Sequence, residues 1–285
     1  MNSYKHSEST LNSSKDNFSV FYQSWIPDEV RRIVVFQHGF GEHSGRYGNL
    51  IEAFSGTGTA FFGLDARGHG RTEGKRGHVA QFQLFVDDLA DLIALAQDAH
   101  PQQPLLLLGH SMGGIIALQY ALEGSNQRNL QGLIVSSAGL ELHMNLGQQI
   151  KKALAFTMAR IMPAATVDAD LDVNFLSHDP AVVQAYRDDP LVHGKISFQM
   201  GKNLLSLGKV IFQKASHLNI PCYIFHGTGD QIVNYKGSER LYEYLTTADK
   251  TLRIYPDFYH ECMNEAADDK QTVLRELREW ALAHC

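Results

Sequence analysis

The chain has 285 residues, of which 44% are hydrophobic and 20% are charged, a composition typical of a folded globular protein. Its net charge of −6 argues against a nucleic-acid partner, and no apolar stretch reaches the roughly 18 residues that a membrane span needs. The three cysteines are too few and too odd in number for a disulfide framework, which predicts a reducing, cytoplasmic location.

The N-terminal half begins with a polar segment and continues with strand-like runs. Residues 1–16 are rich in serine and asparagine and have no apolar core, which predicts a flexible lead-in and not a secretory signal. The alternation from Phe18 to Trp25 predicts an antiparallel strand at the start of the sheet. Short apolar runs predict the central strands Ile33–Gln37, Ala60–Leu64, Leu105–Leu108, Gly132–Ser136 and Cys222–Phe225. Thr251–Tyr255 alternates more strongly and is expected nearer an edge.

Helical segments separate these strands. They are predicted at Phe82–Ala99, after Ser111, at Tyr235–Leu245 and at Lys270–Ala283. Strands that alternate with helices indicate βαβ units, so an α/β fold with a mostly parallel central sheet flanked by helices is expected. Residues 17–138 and 215–285 are predicted to form its core.

Residues 139–214 interrupt the alternation and are predicted to form a helical insert that caps the sheet. Three prolines divide the segment, and it lacks a clear buried strand. Apolar residues recur at helical spacing: Leu146, Ile150, Leu154, Met158 and Ile161. Such a stripe is typical of a helix packed on a core. Phe156 lies off the stripe, however, and a helix that is apolar on more than one face could line a lipid pocket or touch a membrane surface.

The pentapeptide Gly109–Gly113 reads Gly-His-Ser-Met-Gly and directly follows a predicted strand. With a helical segment behind it, this G-x-S-x-G pattern indicates a nucleophile elbow, a sharp strand-to-helix turn that presents Ser111. Glycines are required two residues before and after the serine because side chains there would clash. The helix that follows points its first N–H groups at the reacting centre. Ser111 is therefore the predicted nucleophile.

A serine nucleophile needs a base, and the base needs an acid that orients it. With this elbow the chain order is serine, acid, histidine, which selects His260, in the loop after the last strand. Asp230 is the favoured acid because it follows a glycine-containing turn at the end of a strand. Asp257 is the rival, but it lies too close to His260 in the chain to reach the far ring nitrogen. Two further histidines are left out of the site: His110 is expected to face elsewhere, and His226 is expected to pack.

The oxyanion of an acyl-transfer intermediate needs two backbone N–H donors. One is expected from Met112, the residue after the nucleophile. The other is expected from Phe40, in the loop His38–Ser44 that follows the strand Ile33–Gln37. The alternative is that the glycines of this loop form a turn with no chemical role.

Five sequence blocks, in this order, resemble the monoglyceride lipase and lysophospholipase branch of the α/β-hydrolases. They are His38–His43, Asp65–Gly70, Gly109–Gly113, His226–Asp230 and Tyr259–Glu261. The similarity extends from about Phe18 to Trp280, which is nearly the whole chain. The segment from Ser177 to Val192 also resembles the cap of that branch, whereas Asp65–Gly70 is expected to be a structural loop.

This resemblance implies an α/β-hydrolase fold with a lipid-facing cap. It also implies a triad and two oxyanion donors: Ser111, Asp230 and His260, with Phe40 and Met112. The sequence thus predicts a serine hydrolase that cleaves carboxylic esters of lipid-like substrates, monoacylglycerol or lysophospholipid, through an acyl-enzyme. A short-chain carboxylesterase or thioesterase with the same triad is the alternative. A non-catalytic binding protein of this fold is disfavoured because all three triad positions are filled.

The expected partner is a small lipid ester. The entrance to its pocket is predicted to be lined by residues of the cap: Leu146, Ile150, Leu154, Phe156, Met158 and Ile161. Transient contact with a membrane surface through the cap is expected as well, which would make a cytoplasmic protein peripheral at membranes. No metal and no cofactor are expected.

Overall fold

A computed structural model describes residues 4–143 and 156–285. Its strands are β1 (Lys5–Asn12), β2 (Ser19–Ile26), β3 (Arg32–Gln37), β4 (Thr59–Leu64), β5 (Leu105–His110), β6 (Gly132–Ser136), β7 (Thr166–Asp168), β8 (Lys195–Ser197), β9 (Cys222–Gly227) and β10 (Lys250–Tyr255). Its helices are α1 (Gly48–Ala53), α2 (Gln83–Ala99), α3 (Met112–Leu122), α4 (Pro180–Asp188), α5 (Phe198–Lys214), α6 (Lys236–Tyr244) and α7 (Ala267–Ala283). Residues 156–161 are also helical.

One eight-stranded sheet organises the fold, in the order β1-β2-β4-β3-β5-β6-β9-β10. The strands from β4 to β10 in this order run parallel, and β1 and β2 pair antiparallel. The predicted mostly parallel α/β fold is thereby confirmed, including the position of β10 at an edge. In a parallel sheet the carboxyl ends of the strands meet at one side. The loops after β3, β5, β9 and β10 consequently converge.

The central strands are buried because helices cover both faces of the sheet. In β5, Leu107 packs into an apolar cluster with α2 and α3, while Leu108 packs into a second cluster with α1 and α7. Strands covered on both sides are continuously apolar, which is why Leu105–Leu108 shows no alternation. Burying each such leucine contributes roughly 1.5–3 kcal/mol, so the strand that carries the serine turn is firmly held.

The expected flexible lead-in over residues 1–16 is wrong for most of its length. β1 pairs residue by residue with β2, from Lys5 opposite Ile26 to Asn12 opposite Ser19. Nearly all its side chains are exposed, so backbone hydrogen bonds define it and its composition stays polar. The carboxylate of Asp16 then accepts hydrogen bonds from the guanidinium of Arg67.

The described parts of the segment between β6 and β9 contain β7, β8, α4 and α5. Its β7 and β8 form a separate two-stranded ribbon, and α5 packs against α3 through Met200 and Ile211. Within residues 4–143 and 156–285, no helix is both long and apolar enough to span a membrane.

Candidate active site

Ser111 stands on a strained turn between β5 and α3. Its backbone has φ 54° and ψ −117°, a conformation that non-glycine residues rarely adopt. A Cβ atom on Gly109 would lie 2.4 Å from the carbonyl oxygen of Gly113, and one on Gly113 would lie 2.2 Å from that of Gln37. Both glycines are therefore sterically required, as the sequence predicted.

His260 and Asp230 complete a hydrogen-bonded chain from the serine. The Nε2 atom of His260 lies 2.9 Å from Ser111 Oγ, and its Nδ1 atom lies 2.6 Å from Asp230 Oδ2. The rival carboxylate, Asp257, is exposed, and its backbone N–H donates to Thr228. The structure thus brings together the three side chains that chain order selected, and it leaves Asp257 outside.

The buried carboxylate of Asp230 is held by hydrogen bonds on both oxygens. Its Oδ1 atom accepts from the backbone N–H groups of Ile232 and Val233, at 2.8 and 2.9 Å. Its Oδ2 atom accepts from His226 Nε2 as well as from His260. His226 is buried, as expected of a packing residue, but sequence reasoning missed this polar contact. The i, i+4 spacing within the His226–Asp230 block was the available signal.

The charges around the site favour an ionised aspartate and a basic histidine. Burial acts to raise the pKa of Asp230, but His260 and His226 outweigh it and hold that pKa far below its usual range. Burial acts to lower the pKa of His260, yet the carboxylates of Asp230, Glu261 and Glu42 raise it above 6.5. The aspartate therefore stays an acceptor, while His260 has a high affinity for the proton.

The raised pKa of His260 predicts how kcat/KM changes on the acidic side of its pH profile. His260 acts as a base only when it is neutral, so kcat/KM should rise with pH through a midpoint above 6.5. The midpoint is measured on a soluble ester, with the rate of fluorophosphonate labelling as an independent readout of the same free enzyme. A midpoint clearly below 6.5 in both measurements would contradict the assigned base.

His110 contradicts the expectation that it faces elsewhere. Its ring centroid lies 4.8 Å from that of His260, and its Nδ1 atom lies 3.1 Å from Ser136 Oγ. Burial and the neighbouring His260 lower the pKa of His110 to about 4. It is therefore neutral near pH 7 and adds no positive charge beside the base.

The two expected oxyanion donors lie on the loop after β3 and at the start of α3. Met112 is the first residue of α3, so its N–H group has no partner within the helix. Phe40 follows Gly39, whose own N–H donates to Glu42 Oε1 at 2.7 Å. Phe40 and Met112 both line the cavity that opens at Ser111. This placement is compatible with a pair of N–H groups that face the reacting carbonyl.

A buried ion cluster joins the Phe40 loop to the histidine loop. The guanidinium of Arg46 donates to Glu42 Oε2 at 2.7 Å and to both oxygens of Glu261, at 2.6 and 2.8 Å. Glu261 directly follows His260, so one arginine ties the loop after β3 to the loop after β10. Sequence reasoning missed the cluster because Arg46 and Glu261 are 215 residues apart.

The insert is attached to the same two loops by backbone hydrogen bonds. His260 N–H donates to the carbonyl of Phe175 at 3.1 Å, and Glu261 N–H donates to that of Leu176 at 2.8 Å. His193 N–H donates to the carbonyl of Gly41 at 2.9 Å. The insert therefore contacts the backbone next to the base and next to Phe40.

A cavity of about 350 Å³ opens at Ser111, and its walls are mostly apolar. The apolar side chains come from both the core and the insert: Leu142, Leu171, Leu176, Ile196, Leu204, Leu205, Ile232 and Val233. Of the residues that the sequence placed at the entrance to the pocket, Phe156, Met158 and Ile161 are not among those that line the cavity. Leu146, Ile150 and Leu154 lie outside the described residues.

Helical spacing identifies an apolar face, but only tertiary packing decides what that face covers. Of these residues, Ile161 is 68% exposed at the surface. Among the described residues, no cluster of His, Cys, Asp or Glu could hold a metal ion.

Comparison with known proteins gives consistent results. The family model described as serine aminopeptidase, S33, matches residues 28–267. A monoacylglycerol lipase of Mycolicibacterium smegmatis is 34% identical over 267 residues, which is 93% of each chain. The crystal structure of Paleococcus ferrophilus monoacylglycerol lipase is 31% identical, with a TM-score of 0.84 over 93% of this chain and 99% of that one. A soluble variant of Saccharomyces cerevisiae monoglyceride lipase, in complex with a substrate analogue, is 26% identical, with a TM-score of 0.87 over 100% and 96%.

Proposed function

This chain belongs to the serine aminopeptidase S33 family, and we propose that it is a serine hydrolase of monoacylglycerols or lysophospholipids that works through Ser111. The observation that carries the proposal is the hydrogen-bonded chain Ser111–His260–Asp230 at the mouth of an apolar cavity. The lipase relatives, which match over nearly the full chain, support an ester as the substrate.

The geometry supports a two-step acyl transfer. Ser111 Oγ attacks the ester carbonyl while His260 Nε2 accepts its proton, and the N–H groups of Phe40 and Met112 stabilise the oxyanion. His260 then protonates the leaving alcohol, and an acyl-serine forms. Water attacks the acyl-enzyme with His260 as base, which releases the fatty acid and restores the serine. Throughout the cycle, Asp230 keeps the Nδ1 proton of the imidazole in place.

The cavity favours an acyl chain of more than a few carbons. Each methylene that leaves water for an apolar wall contributes up to about 0.8 kcal/mol. A binding energy of this kind makes kcat/KM rise with chain length until the cavity is full. A short-chain carboxylesterase or thioesterase would show no such rise.

The proposal is tested with a series of 1-monoacylglycerols and lysophosphatidylcholines of increasing chain length. We expect kcat/KM to rise with acyl length, and the better head group identifies the lipid class. An aminoacyl anilide is included because the family description names a peptidase. Turnover of the anilide in preference to every ester would overturn the proposal.

A bulky residue in the cavity wall should shift the chain-length preference. Leu205 lines the cavity from α5, and Leu205→Trp reduces the space for the end of the acyl chain. We expect kcat/KM for long-chain esters to fall roughly 10–200-fold, the range for misfitting a methylene-sized group, while acetyl esters change little. Val210→Trp is the matched control, because Val210 lies on the same helix but is 38% exposed and outside the wall. Equal losses on short and long esters would mean that Leu205 supports the fold without selecting the chain.

We also propose peripheral contact between the insert and a lipid surface. The exposed apolar side chains in the described part of the insert include Ile161, Met162, Val167 and Leu171. Leu171 also lines the cavity, so the exposed group continues into the candidate pocket. A double variant, Ile161→Asp with Met162→Asp, should lower co-sedimentation with phosphatidylcholine vesicles and leave turnover of a soluble ester unchanged. Unaltered co-sedimentation would refute the contact.

We further propose a cytoplasmic location, which the free cysteines Cys222, Cys262 and Cys285 support.

A further inference from the structure

One carboxylate oxygen of Asp230 is shared by two imidazoles. His260 Nδ1 lies 2.6 Å from Oδ2, and His226 Nε2 lies 2.9 Å from the same atom. His226 is at the end of β9, four residues before Asp230, and is fully buried. The acid therefore has a second histidine that does not touch the serine.

The tautomer of His226 is fixed by its partners. Asp230 is ionised and can only accept, so His226 must donate from Nε2. Burial lowers the pKa of His226, which keeps the ring neutral and leaves Nδ1 as an acceptor. The hydroxyl of Ser238, a buried residue of α6, lies 2.8 Å from Nδ1 and supplies the required donor. The direction of donation is thus Ser238 to His226 to Asp230.

The hydrogen bonds from Ser238 to His226 and from His226 to Asp230, called the positioning arm below, set the direction of the carboxylate oxygen Oδ2. The other oxygen, Oδ1, is held by two backbone N–H groups and cannot rotate without losing both. The direction of Oδ2 is then set by its two histidine partners. If His226 were absent, the buried oxygen would keep His260 as its only partner, and the carboxylate would lose one of four hydrogen-bond donors.

We propose that His226 and Ser238 are positioning residues for ester hydrolysis. They hold the carboxylate of Asp230 in line with His260 and reduce the negative charge that this carboxylate directs at His260. The inference rests on the proposed function of Ser111, His260 and Asp230. Neither residue touches substrate, so the effect is transmitted through the acid. The arm is built from the end of β9 and the first turn of α6, and it connects the acid to buried secondary structure.

The charge balance around His260 determines the expected pH effect. The titratable groups that interact with it include Asp230, Glu261, Glu42, His110 and His226 itself, and Arg46 lies between the two glutamates. Loss of a donor to Asp230 leaves more negative charge directed at His260 alone. The imidazolium is then favoured, and the acidic limb of kcat/KM moves to higher pH.

Three variants separate positioning from packing. His226→Leu removes the donor and keeps an apolar side chain, whereas His226→Gln offers an amide N–H in place of Nε2. Ser238→Ala leaves the imidazole in place and removes the group that fixes its tautomer. Each variant is assayed with a soluble p-nitrophenyl ester for kcat, KM and the pH profile, and its Tm is measured.

We expect His226→Leu to lower kcat roughly 10–100-fold, by analogy with hydrogen-bond partners of metal-binding histidines and carboxylates, with KM unchanged and the acidic limb at higher pH. His226→Gln should restore most of kcat and the original limb, and Ser238→Ala should give a smaller loss in kcat. If His226→Leu fails to fold, the proposal is judged on Ser238→Ala alone, from its kcat and from the midpoint of its acidic limb. The proposal is overturned if the folded variants keep wild-type kcat and an unmoved limb, or if His226→Gln is as impaired as His226→Leu.

The outcome for His226 is separable from that of the proposed function. Ser111→Ala is assayed beside the three variants, and it should lose turnover whatever His226 does. Turnover that persists without Ser111 refutes the proposed function itself. Lost turnover in Ser111→Ala, combined with normal kinetics in the His226 and Ser238 variants, refutes only the positioning arm.

Discussion

Replacing Ser111 by alanine is expected to abolish ester turnover and fluorophosphonate labelling together. The hydroxyl is the only group on the elbow within hydrogen-bond distance of His260 Nε2, at 2.9 Å, so no other side chain there can inherit its proton transfer. Loss of the serine in a comparable triad costs on the order of 10⁶-fold in kcat. The measurement is turnover of a p-nitrophenyl ester, followed by peptide mapping of the labelled wild-type protein. Tm should stay close to that of wild type, because the change removes one partly exposed oxygen.

Ser125→Ala provides a matched control, since Ser125 is exposed and lies beyond the far end of α3, the helix that begins at the elbow. It should label and turn over like wild type. Labelling mapped to a serine other than Ser111, or turnover by Ser111→Ala near the wild-type rate, would show that the nucleophile has been assigned wrongly.

Asp230→Asn should have the second-largest effect, a loss on the order of 10⁴ in kcat if the serine protease case transfers. All the partners of this carboxylate are donors, and an amide can accept on only one of its two ends. The NH₂ group would face N–H groups, or would drive His260 into the tautomer that cannot accept the serine proton. The pKa of His260 should also fall, because the negative charge that raises it is gone.

Asp257→Asn is the control for this prediction. Asp257 is exposed, so its substitution should leave kcat and the acidic limb unchanged. Both variants are compared on the same ester across pH. If Asp257→Asn collapses turnover while Asp230→Asn is mild, the other carboxylate orients the base in solution.

Chain order and local pattern were sufficient to predict the convergence of the three site residues. A G-x-S-x-G turn behind an apolar run fixes the position of the serine, and strands of a parallel sheet end at the same side. Asp230 and His260 were found because each follows a strand at that side. The mostly parallel sheet was predictable for the same reason, since buried parallel strands are continuous apolar runs.

Features that depend on distant contacts were not predictable. β1 is polar because it is defined by backbone pairing at an edge, and polar composition alone resembles a flexible tail. The walls of the cavity are assembled from separate segments, so residues such as Leu176, Ile196 and Val233 could not be assigned to it from helical spacing. The contact between Arg46 and Glu261 likewise leaves no periodic signal in the sequence.

The hydrogen bonds from His260 and Glu261 to the carbonyls of Phe175 and Leu176 join the insert directly to the backbone of the catalytic base. If this part of the insert swung outward, it would have to break them and would release the backbone that carries the base. The position of the insert and the position of the base are therefore coupled through the backbone, although the two are far apart in the chain.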